Sequence, residues 1–414
     1  MVLLGNDGGG RVGSTSIRFY VALVLYLAPV FYAASLIYIP PWMIAKLAPP
    51  LRPFVRGVSE ALLMTFILAF AAGSVIAGIY LDTVRWERKL ALAGGVGLSL
   101  TSLYVGLVPF LGLKSAIVAW VLMGMFSAFA LFSAFALIKN HVNSWSRGKL
   151  LCVSFVAGTV LNVASAHIAG VGYTILCFQS ALLLLATALL SIWVKPLGMG
   201  YDSIHVRDFR LYLFMIPTFV FALFLGHFMR AFILSGYMYM ALTTLTHSVI
   251  LTFPMGLAFL AGYVMDRHGR RECGAIGSLL LLAGVIALLV HHATGTLSRS
   301  LVASLATFSL IEAGFAFIMP YLLIVWSDIP RREVFGRIFT LGILVFSAGI
   351  VSGVLVTALS YDVDMALGGI TLALVPITYV ILKLPETLSR ERLLKDELRR
   401  YMKKAMEIVG EAKD

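Results

Sequence analysis

The chain has 414 residues, of which 60% are hydrophobic and only 13% charged, and its formal net charge is +12. That much apolar surface exceeds what a water-soluble core of this length hides, so lipid must solvate part of it and a soluble domain is excluded. The positive charge sits in loops between apolar runs, which makes it a topology signal and not a nucleic-acid surface.

In chain order, residues 1–17 form a Gly-rich polar stretch expected to be a flexible tail. It precedes a full-length apolar run, so a cleavable signal peptide is not expected. Twelve apolar runs follow, each near the roughly 20 residues a helix needs to cross a bilayer core: Phe19–Ile39, Glu60–Leu81, Leu90–Leu111, Ala116–Ile138, Leu150–Gly170, Thr174–Val194, Leu211–Gly236, Leu242–Met265, Gly274–Val290, Leu301–Trp326, Ile338–Leu359 and Met365–Leu382. None alternates polar with apolar residues as a lipid-exposed barrel requires, so the fold class is all-α. Most of the 32 Lys and Arg fall before the first run, in every second loop, or after the last run. By the positive-inside rule both termini are cytoplasmic, and a multi-pass protein of the plasma membrane is expected.

Lys195–Arg210, with Pro196, Gly198 and Gly200, reads as a linker between two six-helix units, 18–194 and 211–384. Residues 385–414 read as an amphipathic cytoplasmic helix, with Leu394, Leu398, Met402, Ala405 and Val409 on one face. Its basic residues suit a membrane surface of anionic lipid.

Both units carry a charged loop after their second run. The second copy reads Gly262-Tyr-Val-Met-Asp266-Arg267-His-Gly269-Arg270-Arg271; the first reads Gly78-Ile-Tyr-Leu-Asp82-Thr-Val-Arg85-Trp-Glu-Arg88-Lys89. A repeated element at equivalent places signals internal duplication. The pattern resembles the signature loop of the major facilitator superfamily of transporters, and Leu384-Pro385-Glu386-Thr387 resembles a common ending there. The resemblance implies two pseudo-symmetric six-helix bundles moving by alternating access. It also implies that Asp82 faces the start of the eleventh helix near Gly336 and Arg337, and Asp266 the start of the fifth near Gly148. In that reading Gly78, Asp82, Arg85, Arg88, Gly262, Asp266, Arg267, Gly269, Arg270 and Arg271 form a cytoplasmic gate. Arg85 stands where the pattern has glycine, so the first leaf is expected to be differently built.

If the units pack as the resemblance implies, the first, fourth, seventh and tenth helices line a central cavity. Glu312 lies near the middle of the tenth run, where a charge costs on the order of 3 kcal/mol even on an insertion scale. It is the candidate for proton coupling, with His227 as a candidate relay. Arg230 offers a fork for an anionic group, or an ion partner for Glu312. Tyr26, Trp120, Asn162 and Tyr321 are candidate substrate contacts, each with packing as the alternative. Cys152, Cys177 and Cys273 are not spaced as metal ligands or a disulfide framework, and no phosphate-binding Gly-Lys-Ser/Thr loop occurs. No metal, cofactor, catalytic residue or nucleic-acid partner is expected.

The expected function is secondary transport of a small organic solute, polar or anionic, with protons, by a monomer that is not an enzyme. Export of amphipathic compounds is the alternative, and a transporter-like receptor is the reading from another class.

Overall fold

A computed structural model describes residues 55–84, 87–111, 113–142, 146–169, 173–193, 211–233, 257–330, 334–360, 362–384 and 386–387. They form helices α1 (Val55–Thr83), α2 (Glu87–Leu111), α3 (Leu113–His141), α4 (Arg147–Ala169), α5 (Tyr173–Trp193) and α6 (Tyr212–Phe228). Helix α7 spans 257–267 in the described part. Then come α8 (Arg270–Ala293), α9 (Leu301–Asp328), α10 (Phe335–Leu359) and α11 (Val363–Lys383). They match the second through twelfth apolar runs in order; the first run, most of the eighth, the linker 195–210 and both tails lie outside the described residues. Eight of the helices are long and apolar enough to cross a membrane, by length and composition.

Several helices start before their apolar run. Glu87, Arg147 and Arg270 occupy first turns, because helical hydrogen bonding continues beyond the stretch that lipid solvates. At other ends the caps are local: Ser300 Oγ accepts from the Ala303 N–H at the start of α9, and Asp362 from the Asp364 N–H at the start of α11.

One packing pattern occurs twice among the described helices. α2 lies against α3 and α5, and α8 likewise lies against α9 and α11. α3 and α9 are the inner members, mostly buried along their apolar stretches, whereas α11 is largely exposed along its own. Leucines such as Leu68, Leu100, Leu279 and Leu372 point outward, as a lipid-facing surface requires.

Two crossings join the halves. At one, Gly78 of α1 meets Gly336 of α10 with backbone against backbone, and Thr340 Oγ1 donates to Ser74 O at 3.0 Å. At the other, Gly262 of α7 packs on α4, where a Cβ would lie 2.9 Å from Gly148 O. A side chain at either glycine would hold the two helices apart.

Candidate functional site

The glycine crossings put the two motif aspartates within reach of helix N-termini of the other half, since residues i and i+4 share a helix face. Asp82 Oδ1 accepts from Gly336 N at 2.6 Å and Oδ2 from Arg337 N at 3.0 Å. Asp266 Oδ1 accepts from Gly148 N at 2.9 Å and Oδ2 from Lys149 N at 2.8 Å. Each carboxylate satisfies orphan N–H groups and lies at the positive end of a helix dipole. Burial pushes the Asp266 carboxyl up, against the opposing pull of Arg270 and the two N–H donors.

Beyond these shared contacts the two leaves differ. Around Asp266 a buried chain of alternating charge runs from Arg147 to Asp328 at 2.5 Å, on to Arg270 at 3.3 Å, and back to Asp266 at 2.8 Å. The side chains of Asp266, Arg270 and Asp328 are at most 1% exposed, and that of Arg147 is 8% exposed. Arg147 also donates to Lys139 O and Val142 O at 2.9 Å, closing the end of α3. Lys139, from the first half, donates to Ser327 O at 2.8 Å and to Pro330 O, at the negative end of α9. Around Asp82 the only added charge among the described residues is Arg337, 3.4 Å away and 74% exposed.

Gly269 has a backbone reason for its identity. Its φ is +129°, where an L side chain is strained, and a Cβ would run into Glu386. Glu386 caps α8, its Oε1 accepting from Arg270 N at 2.9 Å and its Oε2 from Arg271 N at 3.0 Å. Arg85 takes the equivalent place in the first copy and lies outside the described residues. Arg267 and Arg271 are exposed; Arg267 stacks on Tyr263 with its guanidinium 5.3 Å from the ring centroid. Arg88 is half-buried at the start of α2.

An aromatic seal lies alongside these charges. Phe132 and Phe135 of α3 pack on Phe339 of α10 with centroids 4.9 and 5.1 Å apart, and Phe335 stacks on Phe339 at 5.4 Å. The charge chain and the rings lie side by side where the two sets of helices meet at this motif end.

About 33 Å along α1 at 1.5 Å per residue, a different tie appears. Arg230 Nε lies 3.1 Å from Glu60 Oε1, and both side chains are largely buried, at 15% and 20% exposure. Arg230 lies in a π-helical turn, Met229–Ile233, that directly continues α6. This corrects the alternative expectation that Arg230 pairs with Glu312: its partner is Glu60, on the other half.

Glu312 lies near the middle of α9, partly exposed, with no hydrogen bond or ion pair to any described residue. It belongs to a half-exposed stripe, Leu305, Ser309, Glu312, Met319 and Leu323, at helical spacing on one face of a mostly buried helix. His227 is fully buried, its Nδ1 2.8 Å from Thr357 Oγ1. The Thr357 hydroxyl donates to Gly353 O, so Nδ1 carries the proton in this pair. This contact joins α6 to α10. Tyr321 is 2% exposed, with its ring over Gly274 between α8 and α9. Trp120 is buried, and its indole N–H has no partner among the described residues. Tyr26 lies outside the described residues; Asn162 is on α4, its side chain outside the described part.

Sequence reading missed Arg147, Asp328, Lys139, Glu60 and Glu386 as members of these ties. The basic residues looked like topology charges, and Glu60 like the start of a span. One signal was available: Arg230 is the sole Lys or Arg away from a span end or loop, and Glu60 and Glu312 are the acidic residues that its depth allows as partners.

The Gly262 crossing makes a prediction. Gly262→Leu cannot bring α7 onto α4, so thiol reagents should label Cys152, which lies against Gly262 and is buried, at least tenfold faster than in the native chain. Unchanged labelling would show that the crossing does not close this end.

No protein-family model and no curated protein matches the sequence. Solved structures do match across nearly the whole chain. The proton:xylose symporter XylE of the major facilitator superfamily, bound to 6-bromo-6-deoxy-D-glucose, aligns with TM-score 0.71 at 14% identity, over 90% of this chain and 97% of that one. The human organic anion transporter MFSD10 aligns with TM-score 0.68 at 13% identity, over 88% and 99%. XylE from E. coli in a partially occluded inward-open conformation aligns with TM-score 0.68 at 13% identity, over 91% and 99%. The chain therefore has the fold of the major facilitator superfamily.

Proposed function

We propose that this chain, folded as a major facilitator superfamily transporter, is a secondary active transporter that moves a small organic solute by alternating access and couples it to protons through Glu312. It is not read as an enzyme. The observation that carries the reading is the pair of reciprocal caps, Asp82 on α10 and Asp266 on α4, each crossing between halves at the same end. Such contacts form when that end closes and break when it opens. The basic loops make it the cytoplasmic end. The Glu60–Arg230 pair ties the halves at the other end, so the structure supports a conformation closed at the motif end and latched opposite.

Coupling rests on chemistry that a lone mid-span carboxylate offers. Its charge is costly there unless a proton or a cation neutralises it, so the two protonation states favour different arrangements of the halves. Glu60 lies against the Arg230 guanidinium here, so recognition of an anionic solute by Arg230 requires that pair to open. Export of amphipathic compounds remains the second reading, favoured by the apolar residues that surround Glu312 on its stripe.

The test is accumulation of candidate solutes in proteoliposomes under an imposed pH gradient. At least one solute should concentrate and then leak away when a protonophore is added. Accumulation indifferent to the gradient for every transported solute would overturn the coupling. For the opposite latch, Glu60→Gln and Arg230→Gln should each lower thermal stability, and the double variant should lose less than their sum. A coupling on the order of 1 kcal/mol is expected; strict additivity would mean the pair does not act as a tie.

A further inference from the structure

We infer that the α4–α7 crossing binds an anionic phospholipid of the inner leaflet, whose phosphate bridges Lys149 of the first half and Arg267 of the second beside the Tyr263 ring. The inference rests on the topology of the transporter reading and is independent of which solute moves. Its first ground is charge balance. In the buried chain two arginines, Arg147 and Arg270, meet two aspartates, Asp266 and Asp328, so no negative charge is left over. Lys149 and Arg267 stand outside that chain, and neither has a carboxylate at ion-pair distance among the described residues. Of the other acids at this end, Glu386 accepts from the Arg270 and Arg271 N–H groups, and Glu272 lies 3.9 Å from His268. Both cations instead lie against one ring. The Lys149 ammonium is 5.7 Å and the Arg267 guanidinium 5.3 Å from the Tyr263 centroid, and Arg267 also donates to the Tyr263 hydroxyl. A ring face attracts each cation without cancelling its charge, so two positive groups are presented to one anion.

The second ground is the apolar surface beside these cations. Along the exposed face of α7 come Phe259 and Leu260, then Tyr263, then Arg267, about 12 Å from Phe259 at 1.5 Å per residue. Lys149 begins a matching stripe on α4, followed by the half-buried Val153 and Val156 and the exposed Val160 at helical spacing. Apolar, aromatic and cationic is the order in which acyl chain, glycerol region and phosphate meet a helix face at a bilayer surface. The basic loops put this end in the cytoplasmic leaflet, where anionic lipids are drawn to Lys and Arg. A free anion would engage the cations and leave the apolar stripes unused.

The first leaf lacks these features. At the places of Tyr263 and Arg267 the first copy has Ile79 and Thr83, and Arg337, which corresponds to Lys149, is 3.4 Å from Asp82. A lipid at the second leaf touches both halves, and opening of this end parts Lys149 from Arg267. The bound lipid therefore favours the closed motif end.

The experiment titrates the purified full chain in detergent with phosphatidylglycerol or phosphatidylcholine of matched acyl chains and counts bound lipids by native mass spectrometry. Phosphatidylglycerol should bind at least tenfold tighter. Lys149→Gln and Arg267→Gln should each weaken it by about fivefold or more, while Lys149→Arg, which keeps the charge, should retain it. Lys383→Gln removes a cation that lies 5.4 Å from the Tyr379 centroid within α11, and it should leave the affinity within about twofold. Phosphatidylglycerol should also slow thiol labelling of Cys152 at least threefold in the native chain and leave it unchanged in Arg267→Gln. Equal affinity for the two lipids, binding indifferent to Lys149→Gln and Arg267→Gln, an equal loss in Lys383→Gln, or displacement of the lipid by millimolar inorganic phosphate would overturn the site. Phosphatidylglycerol binding that leaves Cys152 labelling unchanged would overturn the bridge between the halves. No solute enters these measurements, so their failure is distinct from failure of accumulation in proteoliposomes.

Discussion

Glu312→Gln should abolish gradient-driven accumulation while leaving the fold intact. The substitution keeps the size and hydrogen-bonding shape of the side chain and removes its titration. In the native chain a one-unit pH gradient supports about tenfold accumulation if one proton moves per solute, because a pH unit is worth about 1.4 kcal/mol. In the variant the inside-to-outside ratio should fall to one at any gradient. Solute exchange across the membrane without a gradient should persist if the carboxylate serves only the proton. Glu312 makes no described hydrogen bond or ion pair, so little packing is lost and the unfolding temperature should change by no more than a few degrees. A variant that still concentrates solute would move coupling elsewhere in the molecule.

The other large effect is structural. Asp328→Ala should destabilise the chain by about 3–5 kcal/mol, because it leaves two buried guanidinium groups without their shared carboxylate. Arg147 and Arg270 then repel across the interface between the halves. The molecule can relieve this by opening the motif end, so labelling of buried Cys152 should accelerate together with the loss of stability. Asp82→Ala removes two N–H contacts and an exposed ion pair, and it should cost far less. If the two variants were equally damaging, the charge chain would contribute nothing beyond the helix cap. The contrast measures the inequality of the leaves, which the sequence already suggested where Arg85 replaces the glycine of the pattern.

How far these features were legible in sequence depends on their range. Spans were legible because lipid imposes long apolar runs, and the doubled loop because Gly-x-x-x-Asp places a small residue and a carboxylate on one helix face. The resemblance even located the helix starts that Asp82 and Asp266 cap. Arg147, Lys139 and Asp328 were not legible as a chain: a basic residue at a span end serves topology in any pairing, and only the fold brings α3, α4, α8 and α9 to one point. Glu386 is similar, its role set by where α11 ends relative to α8. The cavity candidates were chosen by residue type, which says nothing of packing: Tyr321 and His227 are buried between helices, and Arg230 lies 3.1 Å from Glu60.

Alternating access with closure at the motif end is most directly tested by the distance between the halves there. Spin labels at Thr83 and Glu272, both exposed and on opposite halves, should report a predominantly short distance in the native chain. Asp82→Ala combined with Asp266→Ala should shift the distribution by several ångströms toward longer distances. A distribution that stays unchanged in the double variant would contradict the account, since the reciprocal caps would then not be what holds this end shut.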